Sequence, residues 1–258
     1  SLTGILNGID VDEYNPNKDP QIVQTYKVVT QSKRKAVNKA ALQEQLGLEI
    51  RPDVPLIGMV TRLSSQKGLD LVERVLPEIM SRDVQLVVLG MGEEKFVNLF
   101  NWAAHRYQGK VASWNQMNPE LAHRIYAGAD LFLMPSAFEP CGLSQMIAMR
   151  YGTVPIVRET GGLKDTVQPF NPVTGEGVGF TFYSYNAHDM LDAITRATTT
   201  YREDKKSWRK IIGNGMRGDY SWQHSAKKYM ELYNKLAPEQ AVPLKEEAKA
   251  EPKKDEEE

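Results

Sequence analysis

The sequence predicts an α/β domain built on a doubly wound, Rossmann-like parallel sheet. Short apolar runs alternate along the chain with longer segments in which apolar residues recur every three or four positions. The first pattern is typical of buried strands and the second of amphipathic helices. The strands are almost continuously apolar, which indicates a parallel sheet covered by helices on both faces.

The first strand and helix show this pattern clearly. Residues 55–61 form an apolar run, and the segment 69–80 that follows places Leu69, Val72 and Leu76 on one helical face. The same alternation then predicts strands at 84–89, 130–135 and 154–157, and helices at 96–107, at 143–151 and from about residue 163.

The two ends of the chain differ from this regular middle. An apolar run at 179–183 predicts a further strand, and three amphipathic helices are expected at 187–200, 204–213 and 222–236. Residues 2–10 are compatible with a strand and a tight turn, and the Asn and Pro residues of 15–20 indicate an irregular loop. We therefore expect one domain at 1–237 and a disordered charged tail at 238–258, which has no aromatic residue to bury.

Composition excludes several classes of protein. The chain has 32 Lys and Arg against 33 Asp and Glu, a formal charge of -1, so no basic excess points to a nucleic-acid partner. No apolar run approaches the roughly 18 residues of a membrane helix, so we expect no membrane partner either. The single cysteine, Cys141, excludes an intramolecular disulfide and a cluster of thiolate zinc ligands.

Chemically useful residues follow four consecutive predicted strands. Ligands of open parallel sheets bind beyond the carboxyl ends of the strands, so these loops converge on one rim. In chain order, the four loops carry Arg62 and Lys67, then Gly90, then Glu139, Cys141, Gly142 and Leu143, and finally Thr160, Gly161 and Gly162.

This set of residues suits an anionic ligand. A glycine next to a helix start lets backbone N–H groups approach an oxyanion, and the helix dipole adds partial positive charge there. Gly142 and the pair Gly161 and Gly162 hold such positions. With the guanidinium of Arg62 and the ammonium of Lys67, the rim would form a pocket for a nucleoside diphosphate.

Each piece has a simpler interpretation when taken alone. Arg62 and Lys67 could be solvated loop charges, and Gly161 with Gly162 could be an ordinary helix-entry turn. Gly90 belongs to only half of a dinucleotide fingerprint, which is weak support for a NAD-dependent oxidoreductase. The convergence of all these residues on one rim favours the diphosphate pocket.

The remaining reactive and aromatic residues are interpreted as structural. Cys141 has no histidine near it in sequence and is expected to be a small buried thiol rather than a nucleophile. The four histidines lack ligand spacing, so no metal site is predicted. Three tryptophans are expected in the core, and a fourth is expected to line the cleft from a strand end: Trp102, Trp208 and Trp222, and Trp114, respectively.

Four motifs together resemble the C-terminal half of bacterial glycogen synthases and plant starch synthases. They are N-G-I-D at 7–10, Arg62 with K-G-L-D at 67–70, F-E-P-C-G-L at 138–143 and T-G-G-L-K-D-T-V at 160–167. The resemblance covers about residues 2–236, and the motif at 138–143 is its most specific part. It implies a GT-B glycosyltransferase that moves glucose from ADP-glucose to the non-reducing end of an α-1,4-glucan with retention of configuration.

The resemblance also implies a role for each residue of the rim. Arg62 and Lys67 would bind the diphosphate and stabilise the ADP leaving group, and Glu139 would hold the donor glucose. Gly142 and Leu143 would offer backbone N–H groups near the phosphates and sugar hydroxyls. Thr160, Gly161 and Gly162 would donate to the distal phosphate or the sugar, and Gly90 and Cys141 would also contact the substrate. No metal or other cofactor is implied, because fixed cations would take over that work.

Two positions depart from the patterns of related enzymes. Many GT-B enzymes have a second glutamate eight residues after the first, where this chain has Ile147, and that favours the glycogen and starch branch. Bacterial relatives often stack a tyrosine on adenine where our alignment places Met117, which leaves the base contact open.

The family's N-terminal, acceptor-binding half is not in this sequence. We therefore expect an isolated donor-binding domain that transfers glucose negligibly by itself, and a final helix, 222–236, with a partly uncovered apolar face. Alternatives are a transferase or epimerase that uses a UDP-sugar and a non-catalytic nucleotide-binding module. The resemblance implies a cytoplasmic location in a bacterium, or a plastid location in a plant or alga.

Overall fold

A computed structural model describes residues 3–240 of the chain. Within them lies one parallel sheet with the strand order β3-β2-β1-β4-β5-β6, which confirms the predicted doubly wound fold. The strands are β1 (Leu56–Val60), β2 (Gln85–Leu89), β3 (Val111–Trp114), β4 (Leu131–Met134), β5 (Val154–Arg158) and β6 (Phe180–Phe182).

Nine α-helices accompany the sheet within the described residues. They are α1 (Gln31–Gln45), α2 (Leu69–Met80), α3 (Glu94–Arg106), α4 (Pro119–Gly128), α5 (Ser144–Arg150), α6 (Gly161–Thr166), α7 (Ala187–Glu203), α8 (Lys205–Met216) and α9 (Trp222–Leu236). No helix in residues 3–240 is long and apolar enough to cross a membrane.

The strands bury side chains on both faces of the sheet, as the continuous apolar runs predict. In β2, Leu86 and Val88 belong to the larger apolar cluster, and Val87 and Leu89 belong to a second cluster on the opposite face. This division follows from the alternation of side chains along a strand. The second cluster includes Leu42 of α1 and residues of α4, so these two helices cover that face.

Two elements, α1 and α4, were not predicted from the sequence, and β3 was indicated only by the strand end expected near Trp114. Helix α1 buries polar side chains such as Lys35, Asn38 and Gln43, so it lacks the apolar periodicity on which the prediction relied. Strand β3 has four residues, and only the first two are buried. Helix α4 does carry a start signal, because Asn118 accepts a hydrogen bond from the N–H of Leu121 and proline occupies the first helical position.

Several finer expectations need correction. Residues 3–8 form no strand, and a single parallel bridge joins Ile9 to Ser221. Trp208 is buried as predicted, but Trp102 and Trp222 are 51% and 48% exposed because each lies on the outer side of its helix. Cys141 is partly exposed rather than buried, since it lies in a loop at the sheet rim.

The C-terminal part agrees with the expectation of an uncovered helix. Helix α9 buries only Ser225, and its residues Trp222, Tyr229, Tyr233 and Leu236 are exposed. Of the predicted tail, Pro238–Gln240 forms a short 3₁₀ turn, and 241–258 lies outside the described residues.

Candidate functional site

The candidate site lies where strand order reverses, at the carboxyl ends of β1 and β4. These two strands are neighbours in the sheet, but β1 leads to β2 on one side and β4 leads to β5 on the other. Such a reversal opens a crevice between the loops that leave the two strands. The loop after β1 carries Arg62 and Lys67, and the loop after β4 carries Glu139.

Lys67 and Glu139 form an ion pair across this crevice. The ammonium nitrogen of Lys67 lies 2.6 Å from Oε2 of Glu139, and the two side chains are only 15% and 11% exposed. The hydroxyl of Ser136 also donates to Oε2 of Glu139, at 3.3 Å. The structure therefore brings together two of the three residues predicted to act on the donor.

A glycine lets the two loops come this close. Lys67 ends a short 3₁₀ turn, and Gly68 follows it with a φ of 71°. A Cβ atom at Gly68 would lie 2.0 Å from the carbonyl oxygen of Pro135 at the end of β4. Any side chain at this position would therefore push the β1 loop away from the β4 loop and separate Lys67 from Glu139.

Gly161 and Gly162, which were predicted as ligand contacts, also let the loop after β5 pack against the loop after β4. A Cβ atom at Gly161, where φ is 44°, would lie 2.1 Å from the carbonyl oxygen of Glu139. A Cβ atom at Gly162 would lie 2.2 Å from the carbonyl oxygen of Cys141. The N–H of Gly162 donates to the carbonyl of Glu139, at 3.1 Å, so it is engaged within the chain in this conformation, and its contact with a ligand stays a prediction.

Other predicted donors are available. Within residues 3–240, the backbone N–H groups of Gly142, Leu143 and Gly161 have no hydrogen-bond acceptor, and neither does the hydroxyl of Thr160. Gln145 holds the loop between β4 and α5 by donating to the carbonyls of Cys141 and Gly142, at 3.1 and 2.9 Å. The unpaired N–H groups lie at the entrances of α5 and α6, where the helix dipoles favour an anion.

Arg62, Gly90 and Met117 line one hollow of about 240 Å³ at the ends of β1 and β2. The Arg62 side chain is exposed and has no acceptor within residues 3–240. Gly90 allows close packing here, because a Cβ atom would lie 1.9 Å from the carbonyl oxygen of Thr61. Its N–H donates to the carbonyl of Trp114, at 3.0 Å, and is not available to a ligand.

The predicted set thus divides into two adjoining parts. Lys67 and Glu139 meet between the loops of β1 and β4, and Arg62 and Met117 line the hollow on the β2 side. The loop after β1 contributes to both parts. Trp114 is 41% exposed at the end of β3, but it does not line this hollow.

Arg158 is a rim residue whose role the sequence reasoning missed. It ends β5, and its Nη1 donates to the carbonyl of Ala137, at 2.6 Å, in the loop that carries Glu139. Its Nε is buried and has no partner within residues 3–240. The sequence does contain a signal for this role, because Arg158 is a cation at a strand end, as Arg62 is.

Tyr185 covers the outer side of Arg158. The guanidinium lies 5.4 Å from the centre of the Tyr185 ring, within the range of a cation–π interaction. The Tyr185 hydroxyl donates to Asp70 Oδ1, at 2.6 Å, and partial burial together with this carboxylate raises the pKa of Tyr185. The contact links helix α2 to the segment after β6 beside the rim.

Comparison with known proteins identifies the family. Residues 43–214 match the model of the family described as glycosyl transferases group 1. The chain belongs to this family. All three residues with predicted catalytic roles, Arg62, Lys67 and Glu139, fall inside the matched region of this glycosyl transferase.

Its curated relatives include glycogen synthases. The chain is 58% identical over 235 residues to a glycogen synthase of Geobacillus thermodenitrificans and 57% identical over 235 residues to one of Geobacillus stearothermophilus. Each match covers 91% of this chain but 48% of the relative. The chain therefore spans about half the length of the curated relatives it matches.

A solved structure shows the same fold at lower identity. The catalytic domain of starch synthase IV from Arabidopsis thaliana, bound to ADP and acarbose, superimposes with a TM-score of 0.84 at 38% identity. The match covers 90% of this chain and 48% of that one. The agreement supports the GT-B, Rossmann-like class predicted for this domain.

Proposed function

We propose that this glycosyl transferase domain binds the nucleotide-sugar donor of a retaining glucosyltransferase of the glycogen and starch synthase type. The donor is ADP-glucose, and glucose passes to the non-reducing end of an α-1,4-glucan. The observation that carries the proposal is the buried contact between Lys67 and Glu139 at the point where strand order reverses. The identity to glycogen synthases supports it.

The residues of the crevice divide the work of donor binding. Lys67 contacts the diphosphate as a point charge, and Arg62 adds bidentate contacts from the β2 side. The unpaired N–H groups of Gly142, Leu143 and Gly161 surround the remaining oxygens. Glu139 holds hydroxyl groups of the donor glucose. The base occupies the hollow lined by Met117.

The same groups lower the barrier to transfer. When the bond between the anomeric carbon and the phosphate oxygen breaks, the electron pair stays on ADP and negative charge grows there. Preorganised cations and N–H groups stabilise that charge more in the transition state than in the bound donor. The new bond forms to the acceptor oxygen, whose proton leaves to the phosphate. We propose that no metal or cofactor takes part.

The acceptor lies on a part of the enzyme outside this domain. We propose that an N-terminal acceptor-binding domain is the partner of this chain and that the 258 residues alone bind nucleotide but transfer glucose negligibly, because the positioning of the two reactants is lost. The proposed location is the cytoplasm of a bacterium, or the plastid if the chain comes from a plant or alga.

Calorimetric titration of the chain tests the proposal. We expect ADP and ADP-glucose to bind, and UDP-glucose and UDP-N-acetylglucosamine to bind more weakly. Lys67→Ala is expected to weaken ADP at least about tenfold, or about 1.4 kcal/mol. Lys18→Ala, which removes the ammonium of an exposed ion pair with Asp12, is the matched control.

Three outcomes would count against the proposal. Unchanged ADP affinity in Lys67→Ala would remove the diphosphate from this crevice. Preference for a UDP-sugar would assign the domain to another transferase or an epimerase. Full glucan synthesis by the chain alone would contradict the need for an acceptor-binding partner.

A further inference from the structure

A second hollow, of about 300 Å³, lies at the amino ends of β1, β4 and β5, whereas the candidate donor site lies at the carboxyl ends of the strands. It is formed by the first half of α1, by residues that precede β1, β4 and β5, and by the start of α8. We call it the basal hollow and define it by Gln31, Lys35, Lys39, Lys205, Trp208 and Arg209. None of the residues given a role in donor binding lines it.

The basal hollow is electropositive. Four cationic side chains line it, and the only carboxylate among its lining residues is Asp130. That carboxylate is already bound to Lys39, whose ammonium lies 2.7 Å from Oδ2 of Asp130. The remaining charge is therefore uncompensated by the walls of the hollow, and an anion inside it would be attracted.

Two of the cations are fixed in the wall. The Lys35 ammonium donates to the carbonyl of Ala127, at 2.9 Å, and to the hydroxyl of Thr153, at 2.7 Å. The Lys39 ammonium donates to the carbonyl of Val54, at 2.5 Å. Their N–H donors are occupied, and Asp130 balances the charge of Lys39, so an anion in the hollow would meet mainly the charges of Lys205 and Arg209.

Two other side chains of the basal hollow have N–H donors without an acceptor in the described part of the chain. Gln31 is only 7% exposed, lines the hollow, and its amide has no hydrogen-bond partner within residues 3–240. The amide atoms themselves are not sealed from solvent, so the amide is free to donate to a ligand in the hollow. The guanidinium of Arg209 also lacks an acceptor in the described part of the chain.

The start of α8 places its cations together. Lys205 and Arg209 are four residues apart, on the same face of α8. The Lys205 ammonium lies 4.2 Å from the centre of the Tyr201 ring and so is held over an aromatic wall. Trp208, which is 7% exposed, provides a second apolar surface next to these charges.

We propose that the basal hollow binds a small organic phosphate monoester, with its phosphoryl group between Arg209, Gln31 and Lys205 and its apolar body against Trp208. Arginine pairs bidentately with phosphate oxygens, and the amide of Gln31 supplies a neutral donor. A volume of about 300 Å³ has room for about ten water molecules, which is more than a bare phosphate ion fills. The site is independent of the function proposed for the donor crevice.

Calorimetry of the 258-residue chain with phenyl phosphate tests the site, with inorganic phosphate and phenol as partial probes. We expect phenyl phosphate to bind about tenfold more tightly than either partial probe, because only it fills both the charged and the apolar parts. Saturating ADP is expected to leave this affinity unchanged. Displacement of phenyl phosphate by ADP, or no binding to the unmodified chain, would overturn the proposal.

Three variants locate the bound anion. Arg209→Ala and Gln31→Leu are each expected to weaken phenyl phosphate at least about fivefold. Lys206→Ala removes an exposed charge from the same turn of α8 without touching the hollow, and it is expected to change the affinity less than about twofold. An equal loss in Lys206→Ala and Arg209→Ala would show unspecific attraction and overturn the site. The exposed Arg209 variant provides this test even if Gln31→Leu folds poorly.

Discussion

The Lys67 ammonium and Glu139 Oε2 lie 2.6 Å apart, although 72 positions separate the two residues in the chain. Both side chains are largely shielded from water, so screening by solvent weakens the pair less than it would at the surface. In the proposed function, a diphosphate must therefore compete with Glu139 for the ammonium of Lys67. Before a donor binds, the Glu139 carboxylate balances the charge of the Lys67 ammonium.

Glu139→Gln is expected to strengthen ADP binding about threefold, because the diphosphate no longer competes with a carboxylate for Lys67. Calorimetric titration of ADP measures the change. Glu120→Gln, which breaks an exposed ion pair with Arg124 on α4, is the control and is expected to leave ADP affinity unchanged. Weaker ADP binding by the Glu139 variant would mean that the carboxylate positions the ammonium more than it competes for it.

Gly161→Ala is expected to destabilise the fold by about 2 to 3 kcal/mol, since φ is 44° and the new methyl group would meet the carbonyl of Glu139. Gly47→Ala is the matched control: φ is 67° there, but nothing lies within 4 Å of the added Cβ atom. It is expected to cost only about 1 kcal/mol. Urea unfolding of both variants measures the difference, and equal losses would show that the contact between the loops is soft.

Met117→Tyr is expected to tighten ADP binding about threefold, because an aromatic ring in the hollow beside Arg62 offers the base a stacking surface. Inorganic pyrophosphate has no base and serves as the internal control, so its affinity is expected to stay the same. Competition binding measures both ligands. A parallel gain for pyrophosphate would trace the effect to the diphosphate contacts and not to the base.

Lys35 is expected to make stability depend on pH. Burial lowers the pKa of Lys35 from its ordinary value of 10.5 to about 7, Asp130 opposes this shift and Lys39 adds to it. Above pH 7 the folded chain releases a proton that the unfolded chain keeps until about pH 10.5. The free energy of unfolding therefore rises with pH across this window, by up to about 1 kcal/mol per unit, and this gain is lost as the pH falls back to 7.

The comparison with Lys35→Met isolates this effect. The variant leaves carbonyls in the wall unpaired and is less stable overall, but it lacks the titrating group. The difference in unfolding free energy between the two proteins is expected to grow from pH 7 to pH 9, measured by urea unfolding at several pH values. Parallel pH profiles would show that Lys35 stays protonated in the folded chain.

The predictability of the fold depended on which residues an element buries. Strands such as β2 bury apolar side chains on both faces and were readily identified. Helix α1 buries ammonium and amide groups instead, and their partners, such as Tyr126 and Thr153, lie about a hundred residues away in the chain. No local sequence pattern indicates contacts between residues so far apart, so neither α1 nor the basal hollow beside it could be predicted from the sequence.

Most of the candidate site could be predicted from the positions of its residues directly after predicted strands. The convergence of Lys67 and Glu139 followed from their places after two apolar runs, and the structure joins them. The sequence could not show that the N–H groups of Gly90 and Gly162 are engaged by Trp114 and Glu139, because a loop's hydrogen-bond partners depend on how closely it approaches its neighbours. The roles of individual rim residues in donor binding stay predictions.

Because Gly161 and Gly162 let the β5 loop lie directly against the backbone at 139–141, the two loops are mechanically coupled. Neither can swing outward without breaking the hydrogen bond from Gly162 to Glu139. Adjustment to donors of different shape must therefore come from side-chain rotations, such as that of Lys67, or from a concerted shift of both loops. In the proposed function, the donor would therefore contact a backbone surface that these two loops hold together, and the Lys67 side chain would adjust above it.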